Sequence, residues 1–369
     1  MASKKRIAIV HDALVVYAGS EKLALHLSNI YPDAPVYTSA YLPENTFPEF
    51  KTRKVITLPF AARVRSERHF KQLFLLWYLE FSRLDLSAYD VVISSANYLA
   101  KFITPPASTR HICYLHNAFR FLWKRAVYSE QSLPYGGLAL AAINPFIPLL
   151  QRIDAARTRS IMDRPGNAVV TNSQNMARHL HAVYDLTPEV IYPPVPVSSF
   201  WIADAPQDYY LYAGRLISHK RVDIVIQACQ KMNRRLIVAG DGLERSALEA
   251  LAGENVTFTG KVSDAELRRL YANCRALIFP SNEDFGIVPV EAQAAGRPVI
   301  AFQAGGALET VVEFETGMFF KEQSVDSLCE AMRCFEQATF DPLTIRQNAM
   351  RFDQSHFEEA VRALVDREA

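Results

Sequence analysis

Short apolar runs alternate along the chain with stretches in which apolar positions recur every three to four residues. That alternation predicts strands followed by amphipathic helices, and repeated βαβ units build parallel sheets covered by helices on both faces. The class is therefore α/β. In the first half the predicted strands are residues 6–10, 91–94, 111–115, 168–171 and 190–191; a second series begins at 209–212 and continues at 235–239, 256–258, 276–279 and 298–301. Between the two series, Tyr192-Pro-Pro-Val-Pro-Val-Ser-Ser-Phe-Trp201 can continue neither a helix nor a central strand. It is the predicted linker, separating domains at 1–195 and 196–352. Residues 353–369 carry Phe357, Val361 and Leu364 on one helical face and are expected to cross back to the first domain. Helix starts are marked by a capping box, Ser263-Asp-Ala-Glu266, and by Ser173.

Length and composition agree with this division: 369 residues suffice for two cores, and 50% hydrophobic residues with a net charge of +1 give no excess charge for nucleic acid. Cys113, Cys229, Cys274, Cys329 and Cys334 are scattered and odd in number, which favours a reduced, cytoplasmic setting. The apolar stretch behind Lys4-Lys5-Arg6 is too short for a signal-peptide core and is expected to be a strand. The longest apolar run, 138–150, is broken by Asn144, Pro145 and Pro148 and falls short of the roughly 18 to 20 residues a membrane span requires. Peripheral contact with the inner face of the cytoplasmic membrane stays open: Arg63, Arg65, Arg68 and Lys71 beside Leu73-Phe-Leu-Leu-Trp77 suit an interfacial element, or a core helix with a basic outer face.

The sharpest chemical signal is Glu283-Asp-Phe-Gly-Ile-Val-Pro-Val-Glu291, which follows a strand and enters a helix whose first turn can hold Pro289. The helix start offers N–H groups and a positive dipole end to an anion, and Gly286 lets a ligand approach the backbone. A second signal, Gly214-Arg-Leu-Ile-Ser-His-Lys220-Arg221, places cations at a strand's carboxyl end, where open α/β sheets bind ligands. Placed in a helix's first turn, those cations would oppose the dipole, and a bound diphosphate would account for them. Gly240-Asp-Gly242 and Gly305-Gly306 follow further strands, and tight packing explains each as readily as ligand approach.

Together these motifs resemble the GT-B-fold glycosyltransferases of family 4, retaining enzymes that use nucleotide sugars. The resemblance runs through Ala213-Gly-Arg-Leu with Lys220-Arg-Val-Asp, Phe258-Thr-Gly-Lys-Val-Ser-Asp, and Pro280-Ser-Asn-Glu-Asp-Phe-Gly-Ile-Val-Pro-Val-Glu-Ala. In the first half Ala18-Gly-Ser-Glu21 resembles the family's Gly-Gly-x-Glu loop, with Ala18 in place of the first glycine. Tyr114-Leu-His-Asn-Ala-Phe-Arg-Phe-Leu-Trp123 is similar to a motif of bacterial mannosyltransferases, with Ala118 in place of proline. The resemblance implies two Rossmann-like domains facing a cleft, GDP-mannose as donor, and a glycan or polyprenyl-diphosphate-linked acceptor. It implies that Arg215 and Lys220 bind the diphosphate, that Glu291 binds the ribose, that Glu283, Phe285 and Gly286 bind the sugar, and that Ile287 and Val288 also belong to the donor site. Val262 would line the base pocket and Gly19 would touch the donor. Ser20, Glu21, His116 and Arg120 would meet the sugar or acceptor.

The expected chemistry is retaining transfer in which His116, Arg215, Lys220 and Glu283 carry the catalytic work. The two cations stabilise the leaving diphosphate, so that no cofactor and no metal is required. A nucleotide-sugar epimerase or a non-catalytic nucleotide-sugar-binding subunit would share the donor motifs. A nicotinamide dehydrogenase is disfavoured because no Gly-x-Gly-x-x-Gly follows the first strand.

Overall fold

The computed structural model describes residues 5–66, 70, 73–123 and 143–367. The chain divides into two compact units, residues 1–192 with 358–369, and residues 193–357. The linker prolines thus open the second unit, and the last helix, Gln354–Asp366, starts in that unit and ends in the first. Within unit 1 its end is held by Lys5 Nζ on the Val365 carbonyl (2.7 Å), Arg110 on the Leu364 and Arg367 carbonyls, and an Arg367–Glu189 ion pair at 2.6 Å.

Unit 1 contains a seven-stranded sheet, β1 (Ile7–His11), β2 (Val36–Thr38), β3 (Val55–Thr57), β4 (Val91–Ala96), β5 (Arg110–Leu115), β6 (Ala168–Thr171) and β7 (Glu189–Val190). All its pairings are parallel, in the order β3-β2-β1-β4-β5-β6-β7. The central strands β1, β4 and β5 are buried along nearly their whole length, and Ala8, Val10, Val92 and Cys113 lie fully buried in one core.

Unit 2 repeats the plan with six strands: β8 (Tyr210–Ala213), β9 (Leu236–Ala239), β10 (Val256–Gly260), β11 (Ala276–Phe279), β12 (Val299–Phe302) and β13 (Gly317–Phe320). They pair in parallel as β10-β9-β8-β11-β12-β13 around a core that includes Tyr212, Val225, Val238, Ile278 and Leu328. Ser173 and Ser263 cap their helices as expected, accepting from Met176 N and Glu266 N. The reciprocal half of the Ser263 box does not form, because the Glu266 carboxylate pairs with Arg269 at 2.7 Å instead.

Of the two readings open for the segment around Trp77, the structure matches the core helix: Trp77 is fully buried and donates its indole N–H to the Phe70 carbonyl, so the Phe74–Ser82 helix serves the core. Arg68 and Lys71 lie outside the described residues, as do residues 138–142 of the apolar run. One sequence expectation needs correction: Lys220 and Arg221 do not occupy a helix's first turn. Lys220 ends a short turn, Ser218–Lys220, Arg221 is the cap of the Val222–Lys231 helix, and the first turn holds Asp223, which pairs with Arg221 at 3.1 Å. The dipole conflict therefore does not arise. No helix among the described residues is long and apolar enough to cross a membrane.

Candidate functional site

In unit 2 the strand order reverses between β8 and β11, so the loops leaving these neighbours diverge and open a crevice at the carboxyl edge of the sheet. The loop after β8 carries Arg215 and Lys220, and the loop after β11 carries Glu283. Lys220 Nζ lies 2.6 Å from Glu283 Oε1, joining the two loops across the reversal, with side chains 17% and 23% exposed. Arg215 is exposed, and its guanidinium makes no ion pair or hydrogen bond with the described residues. Beneath it the Tyr212 hydroxyl donates to the Arg215 carbonyl at 3.1 Å. Burial, reinforced by Glu283 and opposed by Arg215, holds the Tyr212 phenol protonated far above its ordinary range.

The β11 loop then enters the Ile287–Ala294 helix through Gly286, whose φ of +88° is a left-handed conformation open to glycine at little cost. Phe285 is buried and packs edge-on against Phe352 at 5.5 Å, so its ring anchors the loop. A third loop supports this one: Gly306 N donates to the Glu283 carbonyl, and a side chain at Gly305 would collide with Asn282 and Glu283. Ile287 and Val288 are half-buried in the helix's first turn, with Pro289 behind them. Glu291, one turn on, is buried, and its Oε2 accepts from the Tyr271 hydroxyl at 3.0 Å. Tyr271 is fully buried, which together with Glu291 raises its phenol well above the usual range and keeps it a donor. Val262 is half-buried in the loop between β10 and the Asp264–Asn273 helix. The crevice thus assembles a free guanidinium, an ammonium–carboxylate pair, a helix start and a fixed carboxylate.

Unit 1 has its own reversal, between β1 and β4. Asp12, directly after β1, turns a buried carboxylate toward the loop after β4 and accepts from the backbone N–H groups of Asn97, Tyr98, Leu99 and Ala100 at 2.5 to 2.9 Å. Gly19, exposed, begins the Gly19–Ile30 helix behind the cap residue Ala18. Ser20 Oγ donates to Glu21 Oε2 at 2.9 Å, and the buried Glu21 faces His11 Nε2 at 4.0 Å. His116, just past β5, is buried with Nε2 2.8 Å from Ser95 Oγ. Arg120 opens the short Arg120–Trp123 helix, half-buried. That helix is fastened by a buried cluster: Trp123 Nε1 and the Tyr184 hydroxyl both donate to Asp154, which also pairs with Lys101 at 2.7 Å.

The sequence pointed to Arg215, Lys220, Glu283, Glu291 and His116 but not to Asp12, His11, Ser95 or Tyr271. His11-Asp12 at a strand end was the available signal for the first two. Among the described residues no group of three or more His, Cys, Asp or Glu side chains is arranged to hold a metal ion.

The sequence that forms this crevice is similar to known proteins. Residues 201–351 match the family model Glycosyl transferases group 1. That span lies within unit 2 and contains Arg215, Lys220, Glu283 and Glu291. An uncharacterized glycosyltransferase of Methanocaldococcus jannaschii, MJ1607, is 34% identical over 128 residues, covering 32% of this chain and 33% of the relative. The GDP-mannose-dependent alpha-(1-6)-phosphatidylinositol monomannoside mannosyltransferase of Mycobacterium tuberculosis is 35% identical over 137 residues, covering 32% of this chain and 36% of that protein. The chain thus spans about a third of the length of these curated relatives. Anabaena HepE, solved in complex with UDP, aligns over 98% of this chain and 99% of its own, with a TM-score of 0.71 and 18% identity. The fold is the two-domain, parallel-sheet Rossmann-like architecture of the GT-B glycosyltransferases.

Proposed function

We propose that the protein is a retaining glycosyltransferase that moves a hexosyl group, mannose from GDP-mannose, to a glycan or polyprenyl-diphosphate-linked acceptor in cell-surface polysaccharide synthesis. The observation that carries this reading is the Lys220–Glu283 pair spanning the strand-order reversal of unit 2, beside the exposed Arg215. In the proposed complex Arg215 and Lys220 hold the diphosphate, Glu283 and the Gly286–Val288 backbone meet the sugar, Glu291 takes the ribose and Val262 borders the base. Gly19, Ser20, Glu21, His116 and Arg120 of unit 1 serve sugar and acceptor.

As the bond between the anomeric carbon and the diphosphate oxygen breaks, the acceptor hydroxyl oxygen bonds to the same face of that carbon. The hydroxyl proton passes to the departing phosphate. Positive charge grows on the sugar and negative charge on the diphosphate, which the two cations stabilise in place of a metal; preorganised groups of this kind are commonly worth about 10²-fold or more in rate.

Support for the donor comes from the similarity to a GDP-mannose-dependent mannosyltransferase, whereas the UDP complex of HepE supports a uridine nucleotide as the second candidate. Exposed Phe146, Leu149 and Ile153 along one side of the Ile147–Met162 helix, with Arg152 beside them, support peripheral attachment to an anionic membrane on the cytoplasmic side. The test is incubation of the full chain with GDP-mannose, UDP-glucose and ADP-glucose, with and without EDTA, followed by NMR of the released sugar. Metal-independent release from GDP-mannose with retained anomeric configuration is expected. No release from any donor, or inversion, would remove the reading.

A further inference from the structure

In unit 2 the loops after β9 and β12 flank the two loops that carry Arg215 and Glu283, one on each outer side, because β9 neighbours β8 and β12 neighbours β11. Each flanking loop carries a glycine pair, Gly240 and Gly242 after β9, Gly305 and Gly306 after β12. The sequence leaves tight packing and ligand approach equally open for them. In the structure the space beside each is filled by the main chain of the neighbouring loop. A β-carbon on Gly240 would overlap the Gly214 carbonyl and one on Gly242 the Leu216 backbone, the residues on either side of Arg215. A β-carbon on Gly305 would overlap the Glu283 carbonyl and one on Gly306 the Phe285 backbone. Gly242 and Gly306 have no positive φ, so at these two the requirement is for space alone.

Hydrogen bonds close the same seams. Gly214 N donates to the Ala239 carbonyl and Leu216 N to the Asp241 carbonyl, both at 2.9 Å, and Glu244 N donates to the Leu216 carbonyl at 3.0 Å. The main chain is thus tied down immediately before and after Arg215, whose side chain stays exposed. On the other side Gly306 N donates to the Glu283 carbonyl at 2.9 Å. Contacts between main chains leave no flexible side chain to give way, so an added methyl group has to displace the loop itself.

We propose that Gly242 and Gly306 are positioning residues for the nucleotide sugar: Gly242 sets the place of Arg215 at the diphosphate, and Gly306 sets the place of Glu283 at the sugar. This rests on the reading above in which the two inner loops hold that donor. The two glycines then govern different halves of one ligand. Filling the space at Gly242 weakens the nucleoside diphosphate and the sugar nucleotide together. Filling it at Gly306 displaces the loop that meets the sugar, so the sugar nucleotide loses affinity and the nucleoside diphosphate keeps it. Gly317 provides the control: it opens β13 at the opposite, amino edge of the sheet, and a β-carbon there would overlap the Val299 backbone to a comparable degree.

The test is calorimetric titration of GDP, GDP-mannose, UDP and UDP-glucose into the full-length chain and its Gly242→Ala, Gly306→Ala and Gly317→Ala variants, alongside thermal unfolding. For the base that binds, Gly242→Ala should raise the Kd of diphosphate and sugar nucleotide alike about tenfold, whereas Gly306→Ala should raise that of the sugar nucleotide about tenfold and leave the diphosphate within about twofold. Gly317→Ala should lower Tm as much as the other two and leave both Kd values within about twofold. Affinity that falls in step with Tm in all three variants overturns the proposal, and so does unchanged affinity in Gly242→Ala or Gly306→Ala. Amide-resolved hydrogen exchange of the unsubstituted chain reads the seams without any variant having to fold: the N–H groups of Gly214, Leu216 and Gly306 should exchange as slowly as those of β8 in the absence of nucleotide. Rapid exchange at these three amides overturns the proposal as well. Slow exchange with binding of none of the four ligands sinks the donor reading and the positioning role with it, whereas binding that the variants leave unshifted sinks the positioning role alone.

Discussion

Replacing Lys220 by methionine and Glu283 by glutamine, singly and together, separates a functional ion pair from a structural one. At 2.6 Å and an effective dielectric of about 20, the gross attraction is about 6 kcal/mol. Most of that is offset by desolvating two side chains that retain 17% and 23% of their exposure and by ordering a long lysine. Double-mutant cycles on such partly exposed pairs return about 1 kcal/mol or less. Each single variant should therefore lower Tm by no more than about 2–4 °C for a unit of this size. Activity should behave differently: if Lys220 stabilises the departing diphosphate, Lys220→Met lowers kcat/KM for GDP-mannose by about 10²-fold or more, and Glu283→Gln removes nothing that the cation needs for folding. The assay pairs thermal unfolding with donor turnover for all four proteins. A coupling of several kcal/mol in stability with turnover intact would refute the reasoning and make the pair a clamp between two loops.

Asp12→Asn puts an amide nitrogen against backbone N–H donors and orphans about half of the four it now satisfies, so urea unfolding should show a loss of about 2–6 kcal/mol; a loss under about 1 kcal/mol would refute the clamp. Tyr271→Phe removes the hydroxyl that donates to Glu291 Oε2 and should raise KM for GDP-mannose about tenfold with little change in kcat, whereas an unchanged KM would separate Glu291 from the donor. Burial, helped by Lys22, lowers His26 to about 4, and burial, helped by Arg164, lowers His111 to about 3, so the fold holds both neutral while the unfolded chain takes up protons below about 6.5. Stability is then complete above that pH and falls as pH drops from about 6.5 toward 4, by about 1.4 kcal/mol per pH unit for each histidine once the unfolded form is protonated. Denaturant titrations at pH 7.5, 6 and 5 check the slope, and a flat profile would contradict it.

The alternation of apolar runs with amphipathic stretches was enough to find the central strands, because β1, β4, β5, β8, β9, β11 and β12 are buried along most of their length and consist largely of apolar residues. The strands it did not disclose are β2, β3 and β13. The first two have only three residues each and end in threonine, while β13 opens with Gly317 and lies at a sheet edge. The placement of the proposed donor residues was legible for a related reason: Arg215, Lys220 and Glu283 all follow strands that could be placed, so their position at one edge follows from topology. That Lys220 meets Glu283 was not legible, since 63 residues separate them. The His11–Ser95 contact and the Asp12 clamp depend on β1 lying beside β4, contacts across more than 80 residues that no local pattern encodes. The two readings of Trp77 stayed open for the same reason, because an aromatic beside arginines has one sequence signature whether it faces lipid or core.

The central claim is that the loops after β8 and β11 grip the diphosphate of a nucleotide sugar, and calorimetric titration of GDP, GDP-mannose, UDP and ADP into the full chain and its Arg215→Ala variant tests it most directly. One nucleotide should bind with a micromolar Kd in the unsubstituted chain, and Arg215→Ala should weaken it by about tenfold or more, the cost of one charge-assisted contact to phosphate. Binding of none of the four, or binding that Arg215→Ala leaves unchanged, would contradict it.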